Sequence, residues 1–302
     1  MKCLIWRQHR GQALWAALTL AVLCALMLGA GLSASHWFAG YHHWLTALAA
    51  AGCPPPNAHS GTFHVRSAAT CQALKGRYPG GLQASFAARY NFAILVFVDG
   101  APAALAVIGA LIGAPLVARE IEQRSQLAAW TQSVSRRRWY TAKVTVLAGS
   151  VTVAGLATGF ANGWLQRPLT KGGLTSSRWA WFFSIHLALA GEAVLAFALA
   201  VAIGAWLRRT LPAIGGALAG FLALLLGTGW MVRTLTPARH TTGPKLTVPP
   251  DGWIIGAHTG HGVPYHPASQ YWPLQLAFLA ILLALTAALL AGGWHATRTR
   301  AV

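Results

Sequence analysis

Two carboxyl groups sit where a carboxyl group is costly. Asp99 and Glu192 each lie inside a long apolar run, and an ionised side chain in hydrocarbon costs at least about 2.5–3.5 kcal/mol on insertion scales. Acids in such places carry ions or protons along a transport path, or lock two helices together as a polar seam. Both roles are open for Glu192, which has no basic residue in its own run. It is expected to face protein or a cavity, either hydrogen-bonded or protonated, with Thr152, Thr158 and Asn162 on the preceding run as candidate neighbours. If hydrogen bonding is what it supplies, Glu192→Gln is tolerated far better than Glu192→Leu. Asp99 immediately precedes Gly100-Ala101-Pro102, where a broken helix end can satisfy it.

Other reactive side chains point to no reaction. Cys3 and Cys24 stand alone, whereas Cys53 and Cys71 share one polar stretch. In an oxidising compartment that pair predicts a disulfide, worth about 3 kcal/mol in the chain-entropy model, with two free thiols as the alternative. His42, His43, His258, His261 and His266 lack the cysteine or carboxylate partners that a zinc site gathers. They read as interfacial or loop histidines, and no metal is expected. The chain has no nucleophile elbow, no His-Glu-x-x-His helix and no GxxxxGK[ST] phosphate loop. Any ATP hydrolysis the protein uses must therefore take place on another chain.

Composition says what holds these groups. Of 302 residues 55% are hydrophobic and only 9% charged, against about 25% charged in soluble domains. The net charge of +18 does not indicate nucleic acid, because the basic residues are spread between apolar runs rather than gathered on one domain. An all-α, polytopic membrane protein with six transmembrane helices in a single domain, 1–302, is predicted. The spans are expected at about 13–32, 92–117, 141–164, 181–207, 211–231 and 272–295, each long enough to cross about 30 Å of hydrocarbon. Leu32-Ser33-Ala34-Ser35 resembles a signal cleavage site, but the run before it exceeds the usual 7–15 residues of a signal core, so a retained span is favoured.

Between the spans lie outer loops at 33–91, 165–180 and 232–271, and a tight turn at Arg208-Arg209-Thr210. Within the first loop, residues 36–50 suit an interfacial helix that Pro54-Pro55-Pro56 must end. The inside set, 1–12, 118–143, 207–210 and 295–302, carries 13 of the 23 Lys and Arg in 50 positions. The positive-inside rule then puts both termini in the cytoplasm. Small residues recur at four-residue spacing (Gly109 and Gly113; Gly155, Gly159 and Gly163; Ala196, Ala200 and Gly204; Gly216 and Gly220). They read as helix seams within or between subunits.

The most distinctive stretch is Gly113–Lys143, which holds six of the 23 basic residues and two of the five acids. Such charge density cannot lie in hydrocarbon, so 118–140 connects two spans on the cytoplasmic side. Leu127, Trp130 and Val134 fall at i, i+3 and i+7, one helical stripe. Arg119, Glu120, Glu122 and Arg124 remain for a partner or for lipid headgroups. A solvated connector packed on its own spans is the alternative.

GAPLVAREIE followed by LAAWTQSVSRRRW resembles the connector between spans two and three of bacterial ABC transporter permeases of the ABC-2, exporter type. WRQHRGQAL (6–14), LRRTLPAI (207–214) and YHPASQYWPLQ (265–275) resemble further parts of that family, so the likeness covers nearly the whole chain. Relatives carry Gly-Thr where this chain has Arg124-Ser125. The resemblance implies a homodimer of six-helix subunits in the bacterial plasma membrane. Two separate ATPase subunits holding ATP and Mg would dock on the coupling segment, through Arg119, Glu120, Glu122, Arg124 and Trp130. No cofactor is implied in this chain. By analogy, the loop before span six contains short outer helices. The competing reading is an ion- or proton-coupled secondary carrier using Asp99 and Glu192, but no internal repeat supports it.

Overall fold

The computed structural model describes residues 2–54, 67–78, 81–123, 135–171, 186–235, 238–241, 253–254 and 262–299. Among the described residues, six segments are long and apolar enough to cross a membrane: Ala17–Ala50, Ala84–Arg119, Arg137–Pro168, Leu187–Leu207, Thr210–Thr228 and Ala268–Thr299.

Helix α1 runs unbroken over Lys2–Ala50. The sequence reading ends the first span near 32, but no proline interrupts the chain before Pro54, so nothing local stops the helix there. It stops at Gly52, whose φ of 71° is left-handed. The Cys53 N–H then donates to the Leu48 carbonyl at 2.9 Å, and the Gly52 N–H to the Ala49 carbonyl at 3.0 Å. That is a Schellman closure, completed by apolar packing of Cys53 with Leu48. At 1.5 Å per residue, α1 is roughly 74 Å long, more than twice the hydrocarbon thickness.

Its distal half joins a layer outside the main bundle. Helix α2 (Ala68–Lys75) is capped by the Ser67 hydroxyl, which accepts from the Thr70 N–H. A disulfide between Cys53 and Cys71, with Cα atoms 5.6 Å apart, ties α2 to the end of α1. Helix α3 (Gly81–Ala93) brings Phe86 to stack on Phe38 at 5.2 Å. The Trp44 indole N–H donates to the Leu74 carbonyl at 2.6 Å. The helix that leads into the second span thus begins at Gly81. It continues through a π-helical turn, Ile94–Asp99, into α4 (Ala101–Glu122).

Helices α5 (Arg136–Lys171), α6 (His186–Leu207), α7 (Thr210–Leu235) and α8 (Tyr271–Thr299) complete the bundle. After His186, helix α6 is apolar on every side apart from Glu192, and every residue from Ala188 to Ala202 is buried. A helix with no polar face must be enclosed, and α4, α5, α7 and α8 pack around it. Lipid gives helices no hydrophobic reason to associate, so close backbone approach supplies the contacts. A Cβ on Gly113 would stand 2.7 Å from the Phe197 carbonyl oxygen, and one on Gly155 2.7 Å from the Ala190 Cα. The small-residue rows 109/113 and 155 therefore seat α4 and α5 on α6 within one subunit.

Two aromatic–cation pairs lie near the two ends of α5. Lys143 lies over the Trp139 ring at 4.8 Å, and Arg167 lies over the Trp164 ring at 5.0 Å. Twenty-five residues of helix separate the two tryptophans, about 37 Å, longer than the ~30 Å of hydrocarbon a span must cross. Between α7 and α8 the described residues form short strands and one 3-10 turn, Ala268–Gln270; the rest of the loop, where short outer helices are expected by analogy, lies outside the described residues. β1 (Arg239–His240), β3 (Pro264–His266) and β2 (Trp253–Ile254) make an antiparallel sheet in that order. The buried Gln275 amide oxygen accepts from the Ala188 N–H at 3.0 Å. It thereby satisfies one of the unpaired donors in the first turn of α6.

Candidate functional site

Among the described residues, three places hold the predicted site residues or the contacts that bear on them. The first is the junction where the connector leaves α4. Glu122, the last residue of α4, uses Oε2 to accept from the Thr210 hydroxyl at 3.0 Å and from the Thr210 N–H at 3.4 Å. Thr210 opens α7. The first N–H groups of a helix have no partner within it, and their dipoles favour a carboxylate. Glu122 thus caps α7 from a helix 88 residues earlier in the chain. The turn beside it is constrained: Arg208 has φ 55°, left-handed for a residue that is not glycine. This single residue reverses the chain between α6 and α7, with its N–H donating to the Gly204 carbonyl at 3.0 Å.

Of the other residues predicted for the coupling segment, Arg119 is exposed in the last turn of α4, and Glu120 lies in the same turn. Arg124 and Trp130, with Leu127 and Val134, lie outside the described residues. The sequence reading missed Thr210. Its signal was a hydroxyl residue at the start of an apolar periodic run, a helix-start mark, but nothing local named its partner.

The second place is the interior of the spans. Glu192 is 1% exposed, and neither carboxyl oxygen has a hydrogen-bond partner among the described residues. The expected neighbours are engaged elsewhere. Thr152 donates to the Ala148 carbonyl at 2.8 Å, and Thr158 to the Ala154 carbonyl at 2.8 Å. Asn162 does not meet Glu192; its Nδ2 donates to the Phe97 carbonyl at 3.0 Å.

The reason for that last contact is local. In a π-helical turn each carbonyl accepts from the residue five ahead, as the Leu95 carbonyl does from the Gly100 N–H at 3.0 Å. Five ahead of Phe97 is Pro102, which has no N–H. Asn162 supplies the missing donor and so fixes the turn that ends at Asp99. Asn162→Leu is expected to leave that carbonyl unpaired, at a cost of about 1–3 kcal/mol. The check is the melting temperature of the purified chain, with Asn162→Gln as the variant that keeps a donor. Equal melting of Leu and wild type would remove the assignment.

The third place is the disulfide-linked layer already described, which fixes the far end of α1. These three places hold no nucleophile–base pair among the described residues.

A family model described as ABC-2 membrane transporter related matches residues 43–233, well over half of the chain. No curated protein and no solved structure matches it.

Proposed function

Because the chain belongs to the ABC-2 membrane transporter related family, we propose that this membrane permease works as the transmembrane subunit of an ATP-driven exporter. In this reading two copies form the path, and ATP and Mg are held by separate ATPase subunits. The termini and the connector face the cytoplasm of a bacterial cell, where those ATPases lie. The observation that carries the reading is the junction of Glu122 with Thr210. The connector between the second and third spans is tied by a directional contact to the start of the fifth. A push on the connector therefore reaches the hairpin of α6 and α7, and α6 is the helix on which the bundle is built. Arg119, exposed at the end of α4, is left for contact with the ATPase, together with Glu120, Arg124 and Trp130.

The secondary-carrier reading asks Asp99 and Glu192 to meet water in turn. Glu192 is enclosed with neither oxygen bonded among the described residues, which favours a group that gains a partner when the helices part over one lining an open path. The experiment is capture. A phosphate-loop ATPase encoded beside this chain is expected to co-purify with it from membranes, and its hydrolysis to depend on it. Neutralising Arg119, Glu120 and Arg124 together is expected to weaken capture, because a cluster of interfacial charge is lost. Solute accumulation driven by an ion gradient, with no ATPase bound, would instead favour the carrier.

A further inference from the structure

The disulfide-linked layer is one continuous stretch of chain, so the backbone enters it once, along α1, and leaves it once, along the second span. Apolar packing shows where those two passages lie. Phe38, Phe86, Tyr90 and Val98 pack in one cluster with Leu165 of α5, whereas Ala101 and Leu105 pack with the core around α6. The change of partners falls at Gly100. On α1 the passage falls at Gly31, where a Cβ would stand 2.9 Å from Trp164 Cδ1 and 3.1 Å from the Leu165 Cα. Just beyond it, the Ser33 and Tyr90 hydroxyls bond α1 to α3 at 2.8 Å.

The two passages differ in stiffness. α1 crosses Gly31 as a continuous helix without a proline. The second span crosses Gly100 with its hydrogen-bond ladder interrupted, because Pro102 offers no N–H in either an α or a π pattern. A bond from another helix, Asn162 to the Phe97 carbonyl, stands in for it. Breaks of this kind are where helices bend. On the other side of Gly31, α1 is loosely held. Met27 is the only buried residue between positions 17 and 29, and Leu14, Leu18, Val22 and Leu26 are each more than half exposed. A stiff rod is thus clamped to the layer at one end, touches α5 closely at one point, and is nearly free beyond it.

We propose that α1 and the disulfide-linked layer form one lever that tilts about Gly31, with the π turn and Pro102 as its flexible link and Asn162 as its latch. Tilting of the layer is then carried to the N-terminal end of α1, about 44 Å from the pivot at 1.5 Å per residue. Leu18, thirteen residues from Gly31, is displaced by about 5–7 Å for a tilt of about 15–20°, the size of known rigid-body rotations and helix bends.

The experiment measures distances between spin labels on the full chain in vesicles, in a C3S/C24S background. It needs no ATPase, so it stands apart from the capture experiment. Labels at L18C and L211C report on α1, and labels at V146C and L211C report on the bundle without it. N162L is expected to add a second population to the first pair, shifted by about 5–7 Å, and to leave the second pair unchanged. P102A/N162L, which gives the Phe97 carbonyl a donor in its own helix, is expected to remove that second population. If N162L does not fold, G100A replaces it, because its Cβ would stand 2.7 Å from the Val96 carbonyl oxygen and force the turn open. A single unshifted population in the folded N162L chain, or in G100A in its place, overturns the lever, even if the melting temperature falls. An equal shift in the second pair overturns it too, since the whole bundle would have loosened. Persistence of the shift in P102A/N162L removes the turn as its link.

Discussion

Glu192→Met is expected to make the purified protein more heat-stable while slowing transport by at least an order of magnitude. The two effects have one cause. A buried polar group without a hydrogen bond costs about 1–3 kcal/mol relative to one that is paired, and both oxygens of Glu192 lack a partner among the described residues. Methionine fills a similar volume and carries no such cost. From the sequence, the carboxyl is expected to be hydrogen-bonded or protonated, with Gln tolerated far better than Leu; the missing partner among the described residues adds an expectation for stability.

The functional half follows from asking why the acid is there. An unsatisfied group in a fold calls for another state in which it is satisfied. If Glu192 gains about 2 kcal/mol when the helices around α6 part, deleting it biases the protein about thirtyfold toward the closed arrangement. Glu192→Gln, polar and of the same size, is expected to change both quantities much less. The measurements are the melting temperature in detergent and the transport rate in vesicles. A Met variant that melts lower than wild type would mean that Glu192 has a partner after all. One that melts higher but transports at full rate would remove the switching role.

Glu122→Ala is expected to leave ATPase capture intact and to lower transport per ATP hydrolysed about fivefold. The carboxylate is committed within the chain, to the hydroxyl and N–H of Thr210, so removing it takes nothing from a docking face. What is lost is the link between connector and hairpin. Loss of a helix-start cap is worth about 1 kcal/mol, a factor of about five in the population that keeps the two elements together. Arg208, held left-handed in the turn, makes that turn the point at which the hairpin gives way when the cap goes. Thr210→Val removes the hydroxyl from the other side and is expected to act in the same direction. Glu122→Gln keeps an acceptor and is expected to restore part of the coupling. Capture falling in parallel with transport would place Glu122 on the ATPase instead.

Six spans, an all-helical membrane fold and the family were legible in the residues alone. A membrane makes those properties local: twenty apolar residues in a row can go nowhere else, whatever the rest of the chain does. The small-residue rows were legible for the same reason, since only backbone approach holds helices together in lipid. Where Gly113 and Gly155 would seat their helices was not, because an i, i+4 pattern marks a face without naming what meets it.

The tertiary structure decided every polar partner. Asn162 was visible as a polar residue in a span, but its bond to Phe97 depends on a π-turn and a proline 60 residues earlier. Glu122 was visible as a charge in the connector, and Thr210 as a helix start, yet their contact exists only because α4 and the α6–α7 hairpin end side by side. Helix α1 ran on to Gly52 because its end was set by a glycine and a proline beyond the membrane length, not by the membrane. Hydrophobic length is written residue by residue, whereas a hydrogen bond needs two groups that only the packed chain brings together.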